Sequence, residues 1–241
     1  MSRRAGLAPV LVACCFGAFP GAAVATTVRP DTEPSFSNPR ISYWAHSLSS
    51  ATLRRGPSDS ARVAGRLRLQ TEDGPREVYP VVGQRRDSDG DLWYRVRIPR
   101  RPNGRLGWTR RSELGFLHEL RTSLVINRRS LTATLARGKR RIWSSRIGVG
   151  SAATPTPAGR FWIRERLRPR NPSGLYGPWA FGTSAYSRLT DWPGGGVIGI
   201  HGTNMPWLIP GRPSHGCVRV PNAAIRRLAR LLPIGTPVRI R

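Results

Sequence analysis

Between residues 41 and 117 the apolar positions come in short runs cut by turn residues, in the segments 51–67, 77–99 and 104–114. The clearest run sets Tyr94, Val96 and Ile98 against Trp93, Arg95 and Arg97, the period of two that marks a half-buried strand. Asp87-Ser88-Asp89-Gly90-Asp91 before it supplies a turn. This punctuation predicts a small N-terminal β-barrel over 41–117. From Leu120 the pattern changes. Residues 123–150 read as a three-stranded meander with turns at Asn127-Arg128-Arg129 and Gly138, and the Thr154–Gly159 loop leads into a strand at Phe161-Trp162-Ile163. A Pro- and Gly-rich loop over 168–187 precedes the apolar strand Val197-Ile198-Gly199-Ile200, which ends directly at His201. Near the C-terminus Ile225, Leu228 and Leu232 share one helical face, with Asn222 as the expected cap and Pro233 as the stop. The last residues, GTPVRIR, read as a final strand. The fold class is mainly β: a small barrel, then a β-rich unit over 120–241 with a short C-terminal helix.

The first residues follow another grammar. Arg3 and Arg4 precede an apolar run that closes on Ala23-Val24-Ala25, the pattern of a signal peptide over 1–25. The run is too short and too broken by Gly and Pro to span a bilayer. Leu11-Val12-Ala13-Cys14 also resembles a lipobox, which would make Cys14 a lipid anchor; ordinary secretion is the reading adopted. Residues 26–40 hold three prolines and little apolar material, and read as a flexible tether. The mature chain is thus expected to work outside the cytoplasm.

The formal charge of +27, from 40 basic and 13 acidic residues, predicts attraction to polyanions. A secreted chain meets little nucleic acid, so nucleic acid is not the expected partner. Cleavage after Ala25 would leave Cys217 as the sole cysteine, with no internal disulfide to form. An unpaired cysteine in an oxidising compartment calls for a functional explanation.

Cys217 sits in Arg212-Pro213-Ser214-His215-Gly216-Cys217-Val218-Arg219, and two of the four histidines, His201 and His215, lie within 16 residues of it. An imidazole that takes the thiol proton turns cysteine into a nucleophile. Gly216 leaves room for a substrate carbonyl, and the N–H groups of Gly216 and Cys217 are candidate oxyanion donors. Arg219 could grip a substrate carboxylate. Structural zinc wants about four ligands, commonly in paired spacing, and this cluster offers three. From Leu120 onward the acidic side chains are Glu165 and Asp191 alone, so a backbone carbonyl is the expected partner orienting His201.

Ile200-His201-Gly202-Thr203-Asn204, followed 13 residues after His201 by Ser214-His215-Gly216-Cys217-Val218-Arg219, resembles the signature of the L,D-transpeptidases, the YkuD-type catalytic domain. Pro155–Gly159, the Asn171–Gly177 loop and Gly235–Val238 support the resemblance, which covers 120–241. It implies a peptidoglycan enzyme in which Cys217 is the nucleophile and His201 the base. By the same resemblance Ser214, His215 and Gly216 shape the site and its oxyanion hole, and Gly202, Thr203 and Arg219 fall on the substrate side. Stem peptides would be the substrates, anionic wall polymers a further partner for the basic surface, and no metal or organic cofactor is called for. An L,D-carboxypeptidase, using water on the same acyl-enzyme, and a non-catalytic wall-binding module are the alternatives. Residues 41–117 in turn resemble the bacterial Src-homology-3 barrel, through Leu53-Arg54, Gly56-Pro57-Ser58, Asp89–Val96 and Gly107-Trp108.

Overall fold

The computed structural model describes residues 26–27, 34–190 and 193–241; the expected signal peptide and Cys14 lie outside the described residues. The chain is mainly β, with two sheets and one α-helix, Asn222–Leu231, among the described residues. The first sheet has eight strands in the order Thr26–Thr27, His118–Leu120, Ser42–His46, Val78–Arg86, Leu92–Arg97, Leu106–Arg110, Thr52–Arg54, Val63–Arg66. Its core gathers Tyr43, Leu53, Tyr79, Val81, Tyr94 and Val96. Trp93, expected on the polar face of its strand, is buried as well. Its indole Nε1–H donates to Asp87 at 2.7 Å, and the Arg110 guanidinium, paired with Asp59 and Asp91, covers its ring. An aromatic ring on the outer face is thus roofed by a cation, which strict alternation does not anticipate. Within the stretch read as a tether, Thr26–Thr27 pairs with Glu119 and His118, and Phe36 packs edge-on against Tyr43, so part of it is docked on the sheet.

The second sheet has ten strands: Arg140–Arg146, Thr132–Arg137, Thr122–Asn127, Pro237–Ile240, Gly159–Leu167, Ala180–Tyr186, Val197–His201, Val218–Arg219, Gly148–Gly150, Gly211–Ser214. The expected meander breaks at Ile147. Instead of continuing the third strand, Gly148–Gly150 crosses to the far edge, where Gly148 pairs with Arg219. Gly150 is required there, because a Cβ would come within 2.3 Å of the Thr154 carbonyl oxygen. The helix lays Ile225, Leu228 and Ala229 on a core that includes Leu124, Ile163, Phe181, Ile198 and Val218. Asn222 does not cap this helix. It is the first helical residue, after Pro221, and its side-chain oxygen accepts instead from the Thr203 N–H at 2.9 Å.

The two sheets are fastened by buried contacts. Trp44, Val78, Leu120 and Trp162 form a shared apolar cluster, and the Trp162 indole donates to the Val78 carbonyl at 2.8 Å. Arg164, wholly buried, donates to both carboxylate oxygens of Glu77 and pairs with Glu72 at 2.8 Å. A buried ion pair is tolerable when its partners satisfy one another's hydrogen bonds, and here the ions belong to opposite units. No helix of the described residues is long and apolar enough to cross a membrane.

Candidate active site

His201 closes its strand at a fixed register, opposite Ala180 on one side and Arg219 on the other. Cys217 immediately precedes Val218–Arg219, so parallel pairing of Ile200 with Val218 brings the thiol alongside the strand that carries the imidazole. Gly199, two residues before His201, makes the meeting possible. A Cβ at Gly199 would lie 3.7 Å from His201 Cδ2 and 3.8 Å from Cys217 Sγ. With no side chain there, imidazole and thiol face the same gap. The Gly199 N–H also donates to Sγ at 3.3 Å.

His201 is buried, and its Nδ1 lies 2.6 Å from the Gly202 carbonyl oxygen. A carbonyl only accepts, so Nδ1 carries the proton and Nε2 keeps the lone pair. This is the backbone orientation expected in place of a carboxylate. Glu165 is buried elsewhere, accepting from Thr71, and Asp191 lies outside the described residues. Burial pushes the His201 pKa down to about 4, the Gly202 bond opposing this and the Arg219 charge adding to it. Burial likewise raises the Cys217 thiol, opposed by the Gly199 N–H and by Arg219. The resting pair is therefore neutral thiol and neutral imidazole.

Ser214 is a strut. Its hydroxyl donates to the Cys217 carbonyl at 2.6 Å and accepts from the Gly216 N–H at 3.2 Å. The expectation that the Gly216 N–H would serve an oxyanion is thereby corrected: Ser214 takes that donor, and of the two amides considered the Cys217 N–H is the one Ser214 leaves. Gly216 itself, at φ +127°, is a position where a Cβ would meet Ile198 at 2.8 Å. Its carbonyl accepts from Thr156 Oγ1 at 2.7 Å. His215 is exposed at the rim of the pocket.

Gly202 and Thr203, expected on the substrate side, are scaffolding instead. Gly202 donates to the Trp179 carbonyl and accepts from His201, and Thr203, buried, donates to Asn222 and accepts from Met205. A Cβ at Gly202 would meet Asn222, Pro178 and Gly177, and neither Gly202 nor Thr203 is among the residues that line the pocket. Arg219 does line the pocket. It is only 8% exposed, and its Nε and Nη1 are buried without a hydrogen-bond partner. Such donors are costly unless something anionic occupies the site.

The pocket above the thiol has a volume of about 160 Å³ and is lined by Leu175, Tyr176, Ile198, His201, Cys217 and Arg219, among others. Tyr176 meets the His201 ring edge-to-face at 4.9 Å. It is a site residue that sequence reasoning did not single out, although it sits in the Asn171–Gly177 loop already noted. The Ser187 and Gly196 walls were not anticipated at all.

Residues 121–240 match the YkuD family, described as the L,D-transpeptidase catalytic domain. The chain is 37% identical over 109 residues to the putative L,D-transpeptidase YkuD of Bacillus subtilis, covering 45% of this chain and 59% of that protein. It is 38% identical over 94 residues to the Bacillus licheniformis protein of the same name, covering 39% and 50%. The chain thus spans between half and three fifths of these curated relatives. Among solved structures, the catalytic domain of the Enterococcus faecium L,D-transpeptidase aligns at 22% identity and a TM-score of 0.37, over 50% of this chain and 96% of that one.

Proposed function

Because residues 121–240 form an L,D-transpeptidase catalytic domain of the YkuD family, we propose that the chain is a cysteine-dependent peptidoglycan L,D-transpeptidase working outside the cytoplasm. The observation that carries this reading is the gap at Gly199, onto which both His201 Cδ2 and Cys217 Sγ abut. Cδ2 is bonded to Nε2, the nitrogen whose lone pair is free, so the accepting edge of the ring borders the same gap as the sulfur.

The chemistry follows from a neutral pair. As Sγ attacks the carbonyl carbon of the donor stem peptide, His201 Nε2 takes the thiol proton. The carbonyl oxygen becomes an oxyanion, for which the Cys217 N–H and the Arg219 guanidinium are the nearby donors. Collapse breaks the C–N bond, the departing amine of D-Ala takes the proton from His201, and a thioester remains on Cys217. The side-chain amine of a second stem then attacks the thioester carbonyl. A new C–N bond forms, the C–S bond breaks, and the amine's proton passes through His201 back to sulfur. The buried cation of Arg219 favours each stage that carries negative charge. The N-terminal unit, read here as a Src-homology-3-like barrel, would face the wall with its arginines.

The test is incubation of the purified protein with disaccharide-tetrapeptide fragments and identification of products by mass spectrometry. Cross-linked dimers are the expected result. Tripeptides alone would make the enzyme an L,D-carboxypeptidase, and unchanged substrate would leave a wall-binding module.

A further inference from the structure

Beside the catalytic pocket lies a larger cleft, of about 570 Å³, walled by Arg101, Pro102 and Asn103 of the first unit and by the 155–158 and 186–190 segments of the second. We propose that this cleft binds the acyl acceptor, a peptide recognised by a free carboxylate. The inference rests on the transpeptidase reading and adds to it a second substrate site, built jointly by the two units.

Three observations carry it. The first is charge: Arg128 and Arg188 line the cleft, and no described acidic side chain does. Arg128 Nη1 is engaged with the Thr156 carbonyl at 2.7 Å, while its Nε is buried without a hydrogen-bond partner. A half-buried cation whose buried Nε–H has no partner is a receptor for an anion. Arg188 stands exposed at the mouth.

The second is continuity with the chemistry. Ser187 lines both the cleft and the catalytic pocket. A Cβ at Gly216 would lie 3.6 Å from Ser187 Cβ, and Thr156 on the cleft wall donates to the Gly216 carbonyl. A peptide in the cleft therefore lies one residue's breadth from the segment that presents Cys217. The catalytic pocket, at about 160 Å³, holds a reacting carbonyl and little more. The cleft has the few hundred Å³ typical of sites that enclose a whole small ligand, roughly 300–1,000 Å³.

The third is that the first unit fixes the shared wall. Arg101 donates to the carbonyls of Ser187 at 3.1 Å, Leu189 at 3.0 Å and Gly195 at 2.9 Å, and lies 4.8 Å above the Tyr186 ring. Asn103 exchanges two hydrogen bonds with the Tyr186 backbone, at 2.9 and 3.0 Å. The segment that separates cleft from pocket is thus held from the other unit, and Arg101 acts as a positioning residue.

The experiment uses the full mature chain, a tetrapeptide donor, and two acceptors that differ only in carrying a free or an amidated C-terminal carboxylate. The contact is made at the solvent-facing mouth, so the free carboxylate is expected to lower the acceptor KM by about fivefold. Arg188→Glu and Arg128→Gln should each bring that ratio close to one, with thermal midpoints near that of the wild type. Since Arg128 also braces Thr156, exposed Arg188 is the decisive position. A preference that persists undiminished in Arg188→Glu overturns the proposal. Mass analysis of the wild type separates this from failure of the parent reading: no thioester with donor means that the transpeptidase assignment has failed. The cleft is then judged by fluorescence-polarisation binding of the same two peptides to Cys217→Ala, where equal affinities sink it. Tighter binding of a glycerol-phosphate oligomer than of either peptide would also overturn it, marking the cleft as a polymer site.

Discussion

The Gly199 N–H donates to Cys217 Sγ at 3.3 Å, and the same glycine leaves open the space between that sulfur and His201. A methyl group at Gly199 would sit at 3.7–3.8 Å from both groups, an ordinary van der Waals distance. Gly199→Ala is therefore expected to fold with little change in melting temperature yet to separate thiol from base. Loss of general-base assistance is worth roughly 10²–10⁴-fold in rate, and acylation by donor peptide should fall by about that much. Near-normal acylation in a folded Gly199→Ala protein would show that proton transfer does not cross this gap.

Arg219 bears on the thiol without touching it through any hydrogen bond found among the described residues. Its charge lowers the Cys217 pKa against the rise that burial imposes. Removing the charge in Arg219→Gln should move the pH midpoint of iodoacetamide alkylation upwards and reduce acylation together with it. If the alkylation midpoint stays fixed while acylation still falls, the guanidinium serves substrate alone.

What the sequence did allow to be placed is modest: Cys217 and His201, singled out for their chemistry, line one pocket, and a backbone carbonyl bonds the imidazole. The alternating run at 93–98 and the continuous apolar run at 197–200 likewise foretold the strands Leu92–Arg97 and Val197–His201. What could not be read was decided by partners distant in the chain. Trp93 is buried because Arg110 lies over it. Asn222 abandons its helix cap for the Thr203 N–H, and the Gly216 amide turns to Ser214 rather than to the pocket. Each is a polar group with two available partners, and local sequence does not rank them. The Ser187 wall, fixed by Arg101 from another unit, left no local trace.

On the proposed mechanism, the pH dependence of acylation follows from His201. With its pKa pushed down to about 4 by burial, the imidazole stays neutral, and able to accept a proton, well below the usual histidine range. The acidic limb of kcat/KM for acylation should therefore fall near pH 4 and not near 6.5. A limb between pH 6 and 7 that disappears in no other histidine variant would show that the working pair is an ion pair and not the neutral one.

Glu165 makes the stability of the fold pH-dependent in a way that can be isolated. It is buried, accepts from Thr71 of the other unit, and faces Gly182, the absence of whose side chain accommodates the carboxyl. Burial raises its pKa to about 7, against the pull of the Thr71 bond and of Arg164, with Asp73 and Glu72 adding to the rise. The folded state thus holds a proton that the unfolded chain releases near its ordinary value of 4.5. Below pH 4.5 both states are protonated and nothing is lost; as pH climbs from 4.5 to 7 the unfolded state gains, and stability declines. By this linkage the decline is of order 3 kcal/mol across the window. His46, His118 and His201, all held below their usual range, slope the opposite way, so the total curve is a sum of opposed contributions. Glu165→Gln keeps the shape and removes the proton. The difference in urea unfolding free energy between Glu165→Gln and wild type should therefore shift in favour of the variant as pH rises from 4.5 to 7, and level off above. A flat difference across that range would mean that Glu165 is ionised in the folded protein, its charge balanced by Arg164.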